Sequence, residues 1–98
     1  KEVYQLGYIT FDYTNNELRT QANKVMITSR QAEILRMLIK NKSSVVSRKQ
    51  LLEQVWGDAS YANSLALNVQ ITYLRKALKG DSSVKIESVM KKGYVLRG

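Results

Sequence analysis

A chain of 98 residues with no cysteine and no histidine excludes disulfide frameworks, thiolate nucleophiles, the common zinc ligand sets and the usual general base. Its composition, 44% hydrophobic and 24% charged, is that of one ordinary globular domain, and no apolar run approaches the ~20 residues that cross a bilayer. The net charge of +8 nominates a polyanionic partner, nucleic acid or an anionic membrane surface, with a merely solvated basic surface as the bland alternative.

The chain opens at Lys1 without a Met or a signal-like apolar segment, so a piece of a longer, cytoplasmic polypeptide is expected. The first stretch, "YQLGYITFDYTNNELRTQANKVMITS" (4–29), is rich in Tyr, Ile, Val, Phe and Thr and is punctuated by Gly7, Asn15, Asn16 and Asn23. This predicts short antiparallel strands: "YITFD" alternates, "NN" turns, "ELRT" returns, and "KVMI" follows a second polar turn. Tyr4, Tyr8 and Tyr13 read as packing residues of this small sheet rather than as a platform on which bases stack.

Thr28 followed by Gln31 is a capping box, and Ala32, Leu35, Leu38 and Ile39 lie on one face of the helix it starts. A short apolar pair, Val45 and Val46, precedes a second capping box, Ser47 with Gln50. The helix that follows packs Leu51, Leu52, Val55 and Trp56 and stops at Gly57. The residues 58–64, "DASYANS", link it to a third helix over Asn63 to Gly80, whose end is marked by Lys79 and Gly80. In that helix Leu67, Ile71, Leu74 and Leu78 stack on one side and face a core. Leu65, Val69 and Tyr73 repeat at intervals of four on the opposite side, beside Asn68, Thr72 and Lys76, so an outside partner for apolar contact is expected there.

"VKIESV" and "YVLRG" are strand-like and are joined by "MKKG", a hairpin whose tip carries Lys91 and Lys92 and whose turn is assigned to Gly93 through positive φ. From Ser64 onward seven basic residues (Arg75, Lys76, Lys79, Lys85, Lys91, Lys92, Arg97) face only Asp81 and Glu87. Two short helices followed by a longer one with a polar outer face is the layout of a helix-turn-helix, whose last helix lies in a DNA major groove. The basic hairpin makes it a winged version, suited to a minor groove or to backbone.

The segments "VVSRKQLLEQVWG" (45–57), "NVQITYLRKAL" (68–78) and "KKGYVL" (91–96), in this order behind an N-terminal sheet, resemble the OmpR/PhoB-type winged-helix output domain of bacterial two-component response regulators. The fold class expected is α+β over residues 1–98: an N-terminal four-stranded antiparallel sheet, three helices and a C-terminal β-hairpin wing. The resemblance implies a receiver domain N-terminal to these residues, phosphorylated by a histidine kinase, with paired output domains on directly repeated promoter half-sites. It also implies RNA polymerase as a partner of the loop around Gly57 to Asn63, which here carries Asp58 as its only charge. The domain is expected to be cytoplasmic, nucleoid-associated when bound, free of cofactors, and monomeric by itself.

On this reading Leu65 and Val69 meet thymine methyl groups together with Tyr73, while Asn68, Thr72 and Lys76 face base edges. The resemblance assigns backbone contacts to Arg48, Trp56, Gln70, Arg75 and Tyr94, with Arg75 nearer the core flank and also able to pair within the domain. Family members often carry Arg or a similar polar residue where Leu65 stands, and basic residues at Thr72 and Tyr73, so a site rich in A·T is expected. At the wing the family commonly has Arg, Gly, a variable residue and Gly-Tyr, whereas this chain has Met90, Lys91, Lys92, Gly93 and Tyr94. By composition alone Trp56 is a core residue. A protein-binding module docking on Leu65, Val69 and Tyr73 is the main rival, and an RNA-binding winged helix a second. Catalysis finds only scattered acids such as Glu53 and Asp58.

Overall fold

The computed structural model describes residues 2–98. Four short strands, β1 (Val3–Leu6), β2 (Ile9–Asp12), β3 (Glu17–Arg19) and β4 (Lys24–Met26), form an antiparallel sheet in sequential order. Helices α1 (Ser29–Lys40), α2 (Arg48–Trp56) and α3 (Tyr61–Ala77) follow, and β6 (Lys85–Val89) and β7 (Gly93–Arg97) close the chain as a hairpin. This is the winged helix-turn-helix with an N-terminal four-stranded sheet that the sequence leads one to expect.

Both capping boxes form. The hydroxyls of Thr28 and Ser47 accept from the amides of Gln31 and Gln50, and each Gln returns the bond to its cap residue's amide. Gly57 ends α2 in the left-handed region at φ 85. The core is continuous: Leu6, Ile9, Phe11 and Leu18 of the sheet join Ile34, Leu35 and Leu38 of α1, Leu51 and Leu52 of α2, and Leu67, Ile71 and Leu74 of α3. The hydrophobic set assigned to the inner side of α3 is buried as expected.

Four local details differ from the sequence reading. First, α3 begins at Tyr61 because the Ser60 hydroxyl caps the Asn63 amide, so the link after α2 shrinks to Gly57–Ser60. Second, Val46–Ser47 forms a short strand, β5, which pairs with β7 and turns the wing into a three-stranded sheet of order β5-β7-β6. Third, Tyr4 and Tyr13 pack around Phe11 but Tyr8 is 84% exposed at the β1–β2 turn.

The fourth difference concerns the hairpin. Positive φ occurs there at Gly93 (φ 159), as expected, and also at Lys91 (φ 61), within a turn closed by the Lys92 amide donating to the Val89 carbonyl. Gly93 serves a second need as well: a Cβ there would lie 2.0 Å from the Val46 carbonyl oxygen, across the β5–β7 pair. Close approach of backbone, together with positive φ, requires the glycine.

Candidate nucleic-acid interface

The outer side of α3 is solvent-facing and apolar in part. Leu65, Val69 and Tyr73 are 47%, 50% and 54% exposed, four residues apart on a 17-residue helix whose opposite side is fully buried. Asn68, Thr72 and Lys76 are exposed alongside them. The Thr72 hydroxyl bonds back to the Asn68 carbonyl at 3.1 Å, and the Lys76 ammonium sits 5.9 Å from the Tyr73 ring. The two ends of this face thus have different chemistry, aliphatic at Leu65 and cationic-aromatic at Tyr73 and Lys76.

Arg48, at the first position of α2, gathers three elements around one guanidinium. Its Nη1 donates to Asn68 Oδ1 at 2.9 Å and to the Tyr94 hydroxyl at 2.8 Å, and Nη2 donates to the Ser64 carbonyl at 2.9 Å. Its own amide reaches the Lys92 carbonyl at 3.4 Å, which ties the start of α2 to the wing loop. Arg48, Asn68 and Tyr94 are therefore one cluster. Ser64, which the sequence reading did not single out, completes it through a main-chain atom that no residue-type pattern reveals.

The other candidates are distributed around this centre. Gln70 accepts from Gln31 Nε2 at 2.8 Å, so one end of its amide is held by the glutamine that completes the capping box of α1. Arg75 donates from Nε to the Ile86 carbonyl at 2.9 Å and from Nη2 to the Ser88 hydroxyl at 3.0 Å, fastening α3 to β6. Trp56 is half-buried against the core, and the Arg30 guanidinium lies 4.7 Å from its ring centroid. Arg30 is a second residue missed from sequence, since only the fold brings the first turn of α1 to the end of α2. Lys91 and Lys92 are exposed at the wing tip, beside Met90, itself 84% exposed.

Charge on this side is not neutralised internally. Among the described residues the ion pairs are Arg19 with Glu17, Arg36 with Glu2 and Arg97 with Glu87, so Arg48, Arg75, Lys76, Lys91 and Lys92 have no carboxylate partner. No group of His, Cys, Asp and Glu that could hold a metal ion occurs among the described residues, and none of their helices is long and apolar enough to cross a membrane.

Residues 22–96 match the family model described as "Transcriptional regulatory protein, C terminal". The chain belongs to this family. It is 34% identical over 94 residues to the transcriptional regulatory protein RprY of Bacteroides fragilis, covering 96% of this chain and 40% of RprY. The DNA-binding domain of E. coli CadC superposes with a TM-score of 0.85 at 27% identity, covering 98% of this chain and 92% of that one. The response regulator DrrB of Thermotoga maritima, an OmpR/PhoB homolog, gives 0.81 at 26% identity over 98% of this chain and 44% of DrrB. The OmpR/PhoB-type resemblance is thereby established, and the chain spans about two fifths of the length of RprY.

Proposed function

We propose that this domain reads duplex DNA sequence with α3 in the major groove and the β6–β7 wing against the minor groove or backbone, as the output module of a response regulator. The observation that carries the proposal is the exposed Leu65, Val69 and Tyr73 face, flanked by cations without internal partners. An apolar strip along a groove-facing helix finds its natural complement in thymine methyl groups, and Asn68, Thr72 and Lys76 supply hydrogen bonds to base edges. With leucine at position 65, the half-site is A·T-rich.

Backbone contacts fall to Arg48, Trp56, Gln70, Arg75 and Tyr94, and to Lys91 and Lys92 at the wing. These fix register and affinity rather than sequence. Arg48 keeps two N–H donors beyond the three bonds it makes, and Arg75 keeps both Nη1 hydrogens, so each retains donors for a phosphate. In the full-length protein a receiver domain, phosphorylated by a histidine kinase in the cytoplasm, would pair two such modules on a direct repeat. Tandem occupancy then strengthens a modest single-domain affinity through effective concentration. RNA polymerase would meet the Gly57–Ser60 link, whose single charge is Asp58.

Selection of bound duplexes from a random pool, with the wild-type chain and with Val69→Asp, tests this reading. The wild type is expected to enrich T-rich half-sites and the variant to lose that enrichment while melting at nearly the same temperature. Equal recovery of all sequences by both proteins would reduce the charge to general polyanion affinity and leave the α3 face as a protein-docking surface.

A further inference from the structure

The Arg48–Asn68 bond restricts what Asn68 can read. Arginine carries donors only, so the atom of Asn68 that meets Nη1 at 2.9 Å is necessarily the carbonyl Oδ1. The guanidinium is itself held from two further sides, by the Ser64 carbonyl and the Tyr94 hydroxyl. The orientation of the Asn68 amide is therefore fixed from within the domain, with Oδ1 committed to a charge-assisted bond and the two Nδ2 hydrogens left for an outside acceptor.

We propose that Arg48 is a positioning residue that makes Asn68 a donor-only reader, selecting guanine or thymine and disfavouring adenine and cytosine at the base its Nδ2 faces. An unrestrained asparagine recognises adenine with both ends of its amide, accepting from N6 while donating to N7. Presenting both ends to one adenine edge here makes Oδ1 accept from adenine N6 while it is already held by a charged guanidinium, which weakens the adenine contact. Guanine O6 and N7 and thymine O4 ask only for a donor; adenine offers N7 as an acceptor but leaves its N6 donor unanswered, and cytosine offers only its N4 donor and is rejected. This inference rests on α3 lying in the major groove, and it assigns Arg48 a role in sequence choice beyond any phosphate contact.

The test is the base preference at one position of the selected half-site, measured for the wild type, Arg48→Met and Asn68→Asp, with thermal melting to verify folding. In the wild type that position is expected to favour guanine or thymine. Arg48→Met frees Oδ1 and should raise the adenine share there by roughly tenfold, with other positions unchanged. Asn68→Asp places a carboxylate against Arg48, removes the outward donor and should turn the same position toward cytosine. If Arg48→Met folds but weakens every sequence equally, Arg48 only holds backbone and the inference fails. If Arg48→Met does not fold, Asn68→Asp decides alone, and an unchanged preference overturns the inference. A wild type that enriches no sequence at all overturns the major-groove reading itself, a result distinct from either of these.

Discussion

At the wing, Lys91 and Gly93 both carry the positive φ that the sequence reading assigns to Gly93 alone. Lys91 adopts φ 61, where a side chain's Cβ crowds the following carbonyl at a cost of ~1–2 kcal/mol, and it stands where the family commonly has glycine. Lys91→Gly relieves that crowding but adds ~0.5–1 kcal/mol of unfolded-state entropy, so a net gain of about 0.5 kcal/mol is expected in urea denaturation. Gly93→Ala should instead destabilise by about 1–3 kcal/mol, because its Cβ meets the Val46 carbonyl and β5 must move. Were Gly93→Ala to leave the urea midpoint unchanged, the close approach of Gly93 to Val46 would not limit the side chain there. Sequence pattern identified the positive φ at Gly93 but not the close approach there, since Val46 lies 47 positions earlier and local turn rules do not see it. Arg48 had the same limitation. Its place at the start of a capped helix was legible, whereas its bonds reach Ser64 and Asn68 of α3 and Tyr94 of β7.

Elements were legible where local chemistry sets them. Two capping boxes, a C-terminal glycine and a four-residue apolar repeat locate α1, α2 and the inner side of α3, and each forms as expected. The start of α3 escaped because Ser60 caps it without a Glu or Gln at Asn63 to complete the box. β5 escaped because a two-residue strand has no periodicity to read. The junction between the N-terminal sheet and the end of α3 is also invisible locally. There the Asp81 carboxylate accepts from the Ser83 hydroxyl at 2.7 Å, the Tyr8 amide at 2.7 Å and the Ser83 amide at 2.9 Å. These bonds, the Ser83 hydroxyl foremost, hold its pKa below the ordinary carboxylate range. A depressed folded-state pKa contributes stability above the unfolded value of about 3.9 and loses it as pH falls through the lower folded value. Asp81→Ala is therefore expected to melt below the wild type at pH 7, with the gap narrowing as pH drops beneath about 4. A gap that stays constant from pH 7 to pH 3 would show that ionisation of Asp81 plays no part in joining the β1–β2 turn to this loop.

Across the candidate interface, Arg48 and Arg75 differ in kind from Lys91 and Lys92, and the distinction decides how binding should respond to salt. Arg48 and Arg75 are built into the domain, each bonding to a main-chain carbonyl of another element, so each charge is held at a fixed place beside α3. Lys91 and Lys92 form no ion pair among the described residues and stand exposed on the hairpin. Lysine at such a tip acts as a strongly hydrated point charge, whereas a narrow minor groove favours the more weakly hydrated guanidinium. Its contribution is then counterion release, which carries no sequence information. Replacing Lys91 and Lys92 together with Ala should weaken binding to every duplex by the same factor and lower the slope of log affinity against log salt by about two. Titrations at several salt concentrations on an A·T-rich and a G·C-rich duplex measure both quantities at once. A loss confined to one duplex would mean that the wing reads the groove, and Met90 between the strands would then have to be counted among the residues that specify sequence.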